Sequence, residues 1–303
     1  MPKLSIIVCT YNPDQNIFKA CLESIANACK NIYDYEIIII DNHSTIPITG
    51  LDFVKNFNDK SIRIIEEMKQ GLTPARLKGI EEANADILVY IDDDNIINED
   101  FFEKGLTISV ANPHIGAWSG QVKLKFEETP EEWTKKYWGL LVHREISQDY
   151  WSNLPLLSTT MPCGAGLFVK KEVANHYYEL HKNGKRKVQL DRSGKSLFSA
   201  GDNDLAACAC DVGLGVGVFH ELSLDHFIPP SRTEKRYLLK LAEGISASTV
   251  VFKSYRNEFP LKLTWKNRIA NFLRVITKSR IDREFYLAVL RGEQIGKSMI
   301  NSR

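Results

Sequence analysis

The sequence predicts an α/β fold: a Rossmann-type, mixed but mainly parallel sheet flanked by helices over residues 1–230, then a C-terminal helical extension over 231–303. Three observations predict it. Short β-branched runs alternate with segments of helical apolar spacing along the first hundred residues, the pattern of βαβ units and right-handed crossovers. The chain has 303 residues, 44% hydrophobic and 25% charged, with 11 prolines against 18 glycines, enough for a sizeable core and unlike a disordered or fibrous chain. From Thr233 onward the apolar spacing is helical, and no internal repeat or heptad intervenes.

Taken in order, Leu4–Cys9 (LSIIVC) reads as a strand buried on both faces, ended by Thr10-Tyr11-Asn12-Pro13. Phe18, Cys21, Leu22, Ile25 and Cys29 recur at helical spacing, with Asn12 and Asp14 as candidate caps. Glu36–Ile40 (EIIII) is a second buried strand, stopped by Asp41-Asn42-His43-Ser44. A short helix near 51–57, a strand at 62–65, a helix from Pro74 to Ala83 and a strand at Ile87–Ile91 (ILVYI) follow. Ligands of such sheets sit beyond the carboxyl ends of the strands, the edge that holds Thr10–Asn12, Asp41–Ser44 and Asp92–Asn95. Further on, a helix near 99–111 precedes a strand at Trp118–Phe126 and a Trp/Tyr-rich helix near 131–146. Pro162–Gly166 leads into a strand at Leu167–Val169, and the polar stretch 181–196 (HKNGKRKVQLDRSGKS) reads as an exposed, mobile loop. A helix at Gly201–Ala209 and a strand at Leu222–Ile228 close the domain. Helical spacing then runs through Tyr237, Leu238 and Leu241, through Ile269, Phe272, Leu273 and Ile276, and through Tyr286–Leu290.

The formal net charge is +1, from 39 Lys+Arg and 38 Asp+Glu. That excludes a uniformly basic surface for coating nucleic acid, and no nucleic-acid partner is expected. The average conceals an asymmetry: 231–303 holds 16 basic and 6 acidic residues, net +10, against 23 basic and 32 acidic in 1–230, net −9. The six cysteines lack C-x-x-C spacing and read as reduced core residues. No signal peptide or membrane-spanning run is visible, so the expected compartment is the cytoplasm.

Asp92-Asp93-Asp94 is the strongest chemical signal. At a strand end alternate side chains share a side, so Asp92 and Asp94 are expected to converge and Asp93 to point away. Like charges held together call for a cation, and a hard divalent ion takes one or two carboxylates plus phosphate oxygens. The alternative is a solvated acidic turn that caps the next helix. Asp41 either accepts a nucleobase N–H or stops its strand in an Asx-turn. Arg76 either pairs with phosphate or is a surface cation near a helix that Pro74 starts. Asp202 reads either as a helix N-cap or as a carboxylate general base kept ionised by the helix dipole. His226 is either structural or a ligand. Gly213-Leu-Gly215-Val-Gly217 lacks the strand–helix context of a dinucleotide loop and is discounted.

Together, SIIVCTYN (5–12), EIIIIDNHS (36–44), GLTPARLKGI (71–80), YIDDDN (90–95), CGAGLFVKK (163–171), AGDNDLAACACDVG (200–213) and LDHFIPPSR (224–232) resemble family 2 glycosyltransferases with the GT-A fold, in family order over nearly all of 1–232. The resemblance implies a GT-A-like domain and an inverting, metal-dependent glycosyltransferase. Such an enzyme moves a sugar from a nucleoside-diphosphate sugar, most often a UDP-sugar, to a hydroxyl of a saccharide or lipid-linked acceptor in surface polysaccharide or glycan synthesis. It implies further that Thr10, Tyr11 and Asp41 hold the nucleobase, with Asn12 and Asp93 in the same donor site, and that Arg76 lies beside the ribose and diphosphate. Asp92 would approach the ribose or sugar, and Asp94 would bind Mg²⁺ or Mn²⁺. His226, in His-x-x-Pro-x-x-Arg, would be a second metal or phosphate contact. Gly164-Ala165-Gly166 resembles the close-approach loop beneath the donor sugar. Asp202 would be the catalytic base. One departure stands out: the family commonly has Glu-Asp here, and this chain has Gly201-Asp202, which keeps the base and changes its neighbour.

Two rival readings remain. A nucleotidyltransferase should carry a Gly-rich loop with a basic residue after strand one, and Cys9-Thr10-Tyr11-Asn12-Pro13 has neither. A non-catalytic member that binds a nucleotide sugar or a partner would not need both Asp94 and Asp202. For the tail, Lys266, Arg268, Arg274, Lys278 and Arg280 among Trp265, Ile269, Phe272 and Leu273 suit peripheral contact with an anionic inner membrane face. Docking on the acidic body or a homodimer contact would use the same residues.

Overall fold

The computed structural model describes residues 2–55, 62–194, 196–259, 274–275 and 277–301. Strands β1 (Leu4–Thr10), β2 (Tyr35–Asp41), β3 (Ile62–Glu66) and β4 (Ile87–Asp92) pair in parallel in the order β3-β2-β1-β4. Their crossovers carry α1 (Gln15–Cys29), α2 (Asp52–Lys55) and α3 (Leu72–Glu82). The Asp14 carboxylate caps α1 by accepting from the amides of Asn16 and Ile17. The sheet continues through β8 (Leu167–Lys170), β6 (Ile115–Phe126), β9 (Gly215–Ile228) and β5 (Asn95–Ile97), while β7 (Tyr150–Ser152) pairs with β9. The β4–β8, β6–β8 and β5–β9 pairings are antiparallel and β6–β9 is parallel, so the sheet is mixed as expected.

Burial explains why these runs are strands. All four isoleucines of β2 and most of β1 are inaccessible because both faces are covered. One face packs against α1 and α4 (Phe101–Ala111), with Trp118 stacked on Phe168 beneath it. The other packs against α3, α5 (Lys171–Lys182) and α6 (Gly201–Asp211).

Several stretches depart from the sequence reading. The aromatic helix expected near 131–146 is a run of 3₁₀ turns over Glu132–Leu141. It ends where Val142 adopts φ 69, and Arg144 then bridges back to Val122 in extended backbone. The loop expected over 181–196 is not uniformly exposed. α5 runs into it, because Val173, Ala174 and Tyr177 form a buried stripe at helical spacing, and Leu190, Asp191 and the Arg186 side chain are buried beyond it. Short β5 and β7 escape detection because three residues carry no period.

In the C-terminal region, α7 (Lys235–Tyr255) and α8 (Arg280–Asn301) pack on each other and on the 3₁₀ segment, with Leu238, Leu241, Ala242, Phe285 and Ala288 joining Leu141 and Ile228. Val251 and Phe252 enter the main core. Ion pairs Arg291–Glu243, Lys235–Glu284 and Lys136–Asp282 follow the apolar seam. Among the described residues, α7 and α8 dock onto the body. Lys266, Arg268, Trp265, Ile269, Phe272, Leu273 and Ile276 lie outside them. No described helix is long and apolar enough to cross a membrane.

Candidate active site

The carboxyl ends of β1 and β4, the start of α3 and the start of α6 surround a cleft of about 450 Å³. β4 ends at Asp92, Asp93 and Asp94 make a turn, and Asn95 opens β5. Alternation therefore stops at Asp92, and Asp93 does not point away as expected. All three carboxylates line the cleft, and the Thr10 hydroxyl donates to Asp93 Oδ2 at 2.5 Å. Burial, then the Asp94 charge, raises the Asp92 carboxyl and pushes Asp93 up to about 7.

Asp94 behaves oppositely. Burial acts to raise it, but His226 and Arg232 outweigh burial and hold it well below the usual carboxylate range. The antiparallel register pairs Asn95 with His226, which brings a residue from the far end of the chain beside the aspartates. His226 Nδ1 lies 3.1 Å from the Leu141 carbonyl, which only accepts, so Nδ1 carries a proton, and Nε2 lies 3.4 Å from Asp94 Oδ2. A carboxylate oxygen and an imidazole nitrogen at that separation, the nitrogen giving up its proton to the ion, suit neighbouring ligands of a divalent ion, which stand about 3 Å apart when each bond is near 2.1 Å. Arg232 Nη1 also donates to Asp94 Oδ2, at 2.7 Å, so an ion taken here shares that carboxylate with a guanidinium. A second cluster, His176, Cys208 and Asp211, fits a metal poorly. Burial keeps the Cys208 thiol protonated, and Arg256 already pairs with Asp211 and contacts Cys208.

Arg76 is not a surface cation. It is 4% exposed and lines the cleft, donating to Asp191 Oδ1 at 2.7 Å, while Thr73 donates to Asp191 Oδ2 at 2.8 Å. Burial works against its charge, but Asp191, then Asp202 and Asp92, more than restore it. Asp202 is the second residue of α6 and does not cap it: Ala200 holds the N-cap position. Its Oδ2 accepts from the Gly164 amide at 2.7 Å and its Oδ1 from the Asn203 amide at 2.9 Å. Burial raises the Asp202 carboxyl and Arg76 partly offsets the rise. A Cβ on Gly164 would come within 2.9 Å of Arg76 Nη2 and 3.0 Å of Asp202 Oδ2, so glycine is what lets the turn before β8 sit against both. Ala165 lines the cleft beside it.

Tyr11 is 51% exposed at the cleft mouth. Asn12 and Asp41 are not among the cleft-lining residues. Asn12, at φ 48, donates its amide to Ser44 Oγ and accepts from the Thr45 amide, tying the loops after β1 and β2 together. Asp41 is buried and accepts from the amides of Ser44 and Ile48, which is the strand-stopping alternative. Asn42 lines the cleft instead and accepts from the Gly71 amide.

A second cavity of about 450 Å³ is lined by Arg144, Met161, Asn203, Thr249, Phe252 and Lys253 among others. Asp202, Val142 and Ser199 line both cavities. Cleft residues that sequence reasoning missed include Asp191, Arg192 and Ser193, which sit in the polar stretch read as exposed. The available signal was the apolar pair Val188 and Leu190, of which Leu190 is buried in the core and Val188 packs against it.

A family model described as "Glycosyl transferase family 2" matches residues 5–177. An uncharacterized glycosyltransferase of Haemophilus influenzae is 31% identical over 115 residues, 37% of this chain and 44% of that protein. The poly(ribitol-phosphate) beta-N-acetylglucosaminyltransferase TarP of Staphylococcus aureus is 28% identical over 102 residues, 33% of this chain and 30% of that one. The chain thus spans less than half the length of these curated relatives. Among solved structures, S. aureus TarS 1–349 covers 99% of this chain and 92% of its own at 15% identity and a TM-score of 0.49.

Proposed function

The chain belongs to glycosyl transferase family 2, and from that premise we propose that it moves a sugar from a nucleoside-diphosphate sugar, a UDP-sugar, to a hydroxyl of a saccharide or lipid-linked saccharide, with inversion. The observation that carries this reading is the position of Asp202: one carboxylate is common to the aspartate-lined cleft and to the second cavity. A donor in the first and an acceptor in the second would meet at it.

In this reading Tyr11, Thr10 and Asn42 line the nucleobase end, and Asp41 and Asn12 shape the loops there. Arg76 faces the diphosphate with its charge secured by Asp191. Asp94 and His226 would hold Mg²⁺ or Mn²⁺, and Asp92 lies beside them at the strand end. Bound there, the ion would neutralise charge that develops on the diphosphate. Asp202 takes the proton of the acceptor hydroxyl as its oxygen bonds to the anomeric carbon. The bond from that carbon to the β-phosphate oxygen breaks, and its electron pair leaves with the nucleoside diphosphate. Proton removal and attack occur on the face opposite the leaving group, so one displacement suffices. TarP modifies a polymer, in keeping with a role for this chain in polysaccharide or glycan synthesis.

A nucleotide-sugar screen tests the proposal. At 100 times its Kd the correct donor stabilises the fold by roughly 2.7 kcal/mol, a shift of several degrees in Tm at this size. We expect one nucleotide sugar to give that shift in the presence of Mn²⁺, and nucleoside diphosphate release to stop with chelator and resume with added ion. No shift from any nucleotide sugar or nucleoside diphosphate would contradict the reading.

A further inference from the structure

The departure at Gly201 has a structural counterpart. A Cβ built on Gly201, the first residue of α6, would fall on the Asp191 carboxyl group, closer to its carbon and both oxygens than unbonded atoms can approach. In a glutamate the carboxyl carbon sits about 2.5 Å from its own Cβ, the span of two C–C bonds. The Asp191 carboxyl carbon occupies that same shell around the 201 Cβ position. The Asp191 carboxylate therefore fills the space that a side chain at 201 would need, within reach of the carboxylate a glutamate there would carry.

That place is defined by its partners. Asp191 is 3% exposed, and its two oxygens are taken by the Arg76 guanidinium and the Thr73 hydroxyl. The segment that carries it is pinned on both sides: the Ala200 amide donates to the Leu190 carbonyl, and the Leu72 amide at the start of α3 donates to the Arg192 carbonyl. A buried guanidinium without a carboxylate is strongly unfavourable, so some acidic residue must reach Arg76.

We propose that Asp191 is a positioning residue that supplies, from the 189–199 segment, the carboxylate that a glutamate before the base would supply from α6, and that glycine at 201 is the condition for it. Acting through Arg76, it fixes a buried cation at the diphosphate end of the cleft and sets a second negative charge near Asp202. This assignment rests on the glycosyltransferase reading for its role, but the exchange of carboxylates is a property of the fold.

The test is a charge transplant in the full chain, comparing wild type, Asp191→Gly, Asp191→Asn and the double variant Asp191→Gly/Gly201→Glu. Melting temperature reads the exchange without any substrate, and affinity for uridine diphosphate with Mn²⁺ reads the positioning of Arg76. We expect Asp191→Gly to melt several degrees lower and the double variant to regain more than half of that loss. Asp191→Asn, which keeps the shape and loses the charge, should fold and bind uridine diphosphate at least 10-fold more weakly. A double variant no more stable than Asp191→Gly would overturn the exchange. Asp191→Asn binding as wild type does would overturn the positioning role. Wild type binding no nucleoside diphosphate would instead count against the glycosyltransferase reading, while the melting comparison would still judge the exchange.

Discussion

Asp202→Asn is expected to lower kcat by roughly 10²–10⁴-fold, the range for a general base, while donor affinity stays near wild type. Asparagine keeps an oxygen for the Gly164 amide, which the aspartate accepts at 2.7 Å, so the turn beneath the donor should hold. What it loses is the ability to take a proton. The fold should tolerate the change. Burial raises the Asp202 carboxyl above its ordinary 3.8, so any stability tied to its protonation is present only at low pH and is lost as pH rises through the folded pKa. At neutral pH its charge is no asset, and the variant should melt at or above the wild-type temperature. The same shift gives kcat/KM an acid limb that falls as pH drops through a value above 3.8, and Asp202→Asn should lack it. Transfer by Asp202→Asn near the wild-type rate would remove the base assignment.

The second large effect is expected from Asp94→Asn: a loss of at least about 100-fold in kcat/KM, comparable to removing a group that stabilises leaving-group charge, together with loss of the metal response. His226 and Arg232 converge on the Asp94 carboxylate, at 3.4 and 2.7 Å, and keep it ionised. An amide in its place gives a divalent ion a weaker ligand and leaves Arg232 without its anion. Titration of Mn²⁺ in the presence of uridine diphosphate separates the two consequences. Affinity for the ion should fall in Asp94→Asn and survive in Asp202→Asn. Equal Mn²⁺ affinity in Asp94→Asn and wild type would contradict the assignment.

How much of this was legible in the sequence depended on how local each feature is. β1, β2 and β4 could be read because burial on both faces writes continuous apolar runs, and the polar residues that end them fall at the sheet edge where ligands bind. Asp202 and Gly164 were visible through their motifs, although their contact joins residues 38 apart. Asp93 was misjudged because alternation holds only inside a strand, and β4 ends one residue earlier. Asp191 was invisible for a different reason. A charged residue in a basic, polar stretch reads as solvated unless its partner is known, and Arg76 is 115 residues away. Gly201 was noticed as a departure, but its meaning lay in the side chain that fills its missing Cβ. The aromatic segment 132–141 carries helix-like spacing, and it took the left-handed Val142 and the return of Arg144 to Val122 to show that the chain turns there.

The central claim is a single displacement at a carboxylate shared by two cavities. The anomeric configuration of the product, read by NMR from the coupling constant of the newly formed linkage and compared with that of the donor the screen identifies, tests it most directly. Direct attack with Asp202 as base predicts inversion in every turnover. A product that retains the donor configuration would exclude attack from the face opposite the leaving group and would contradict the account.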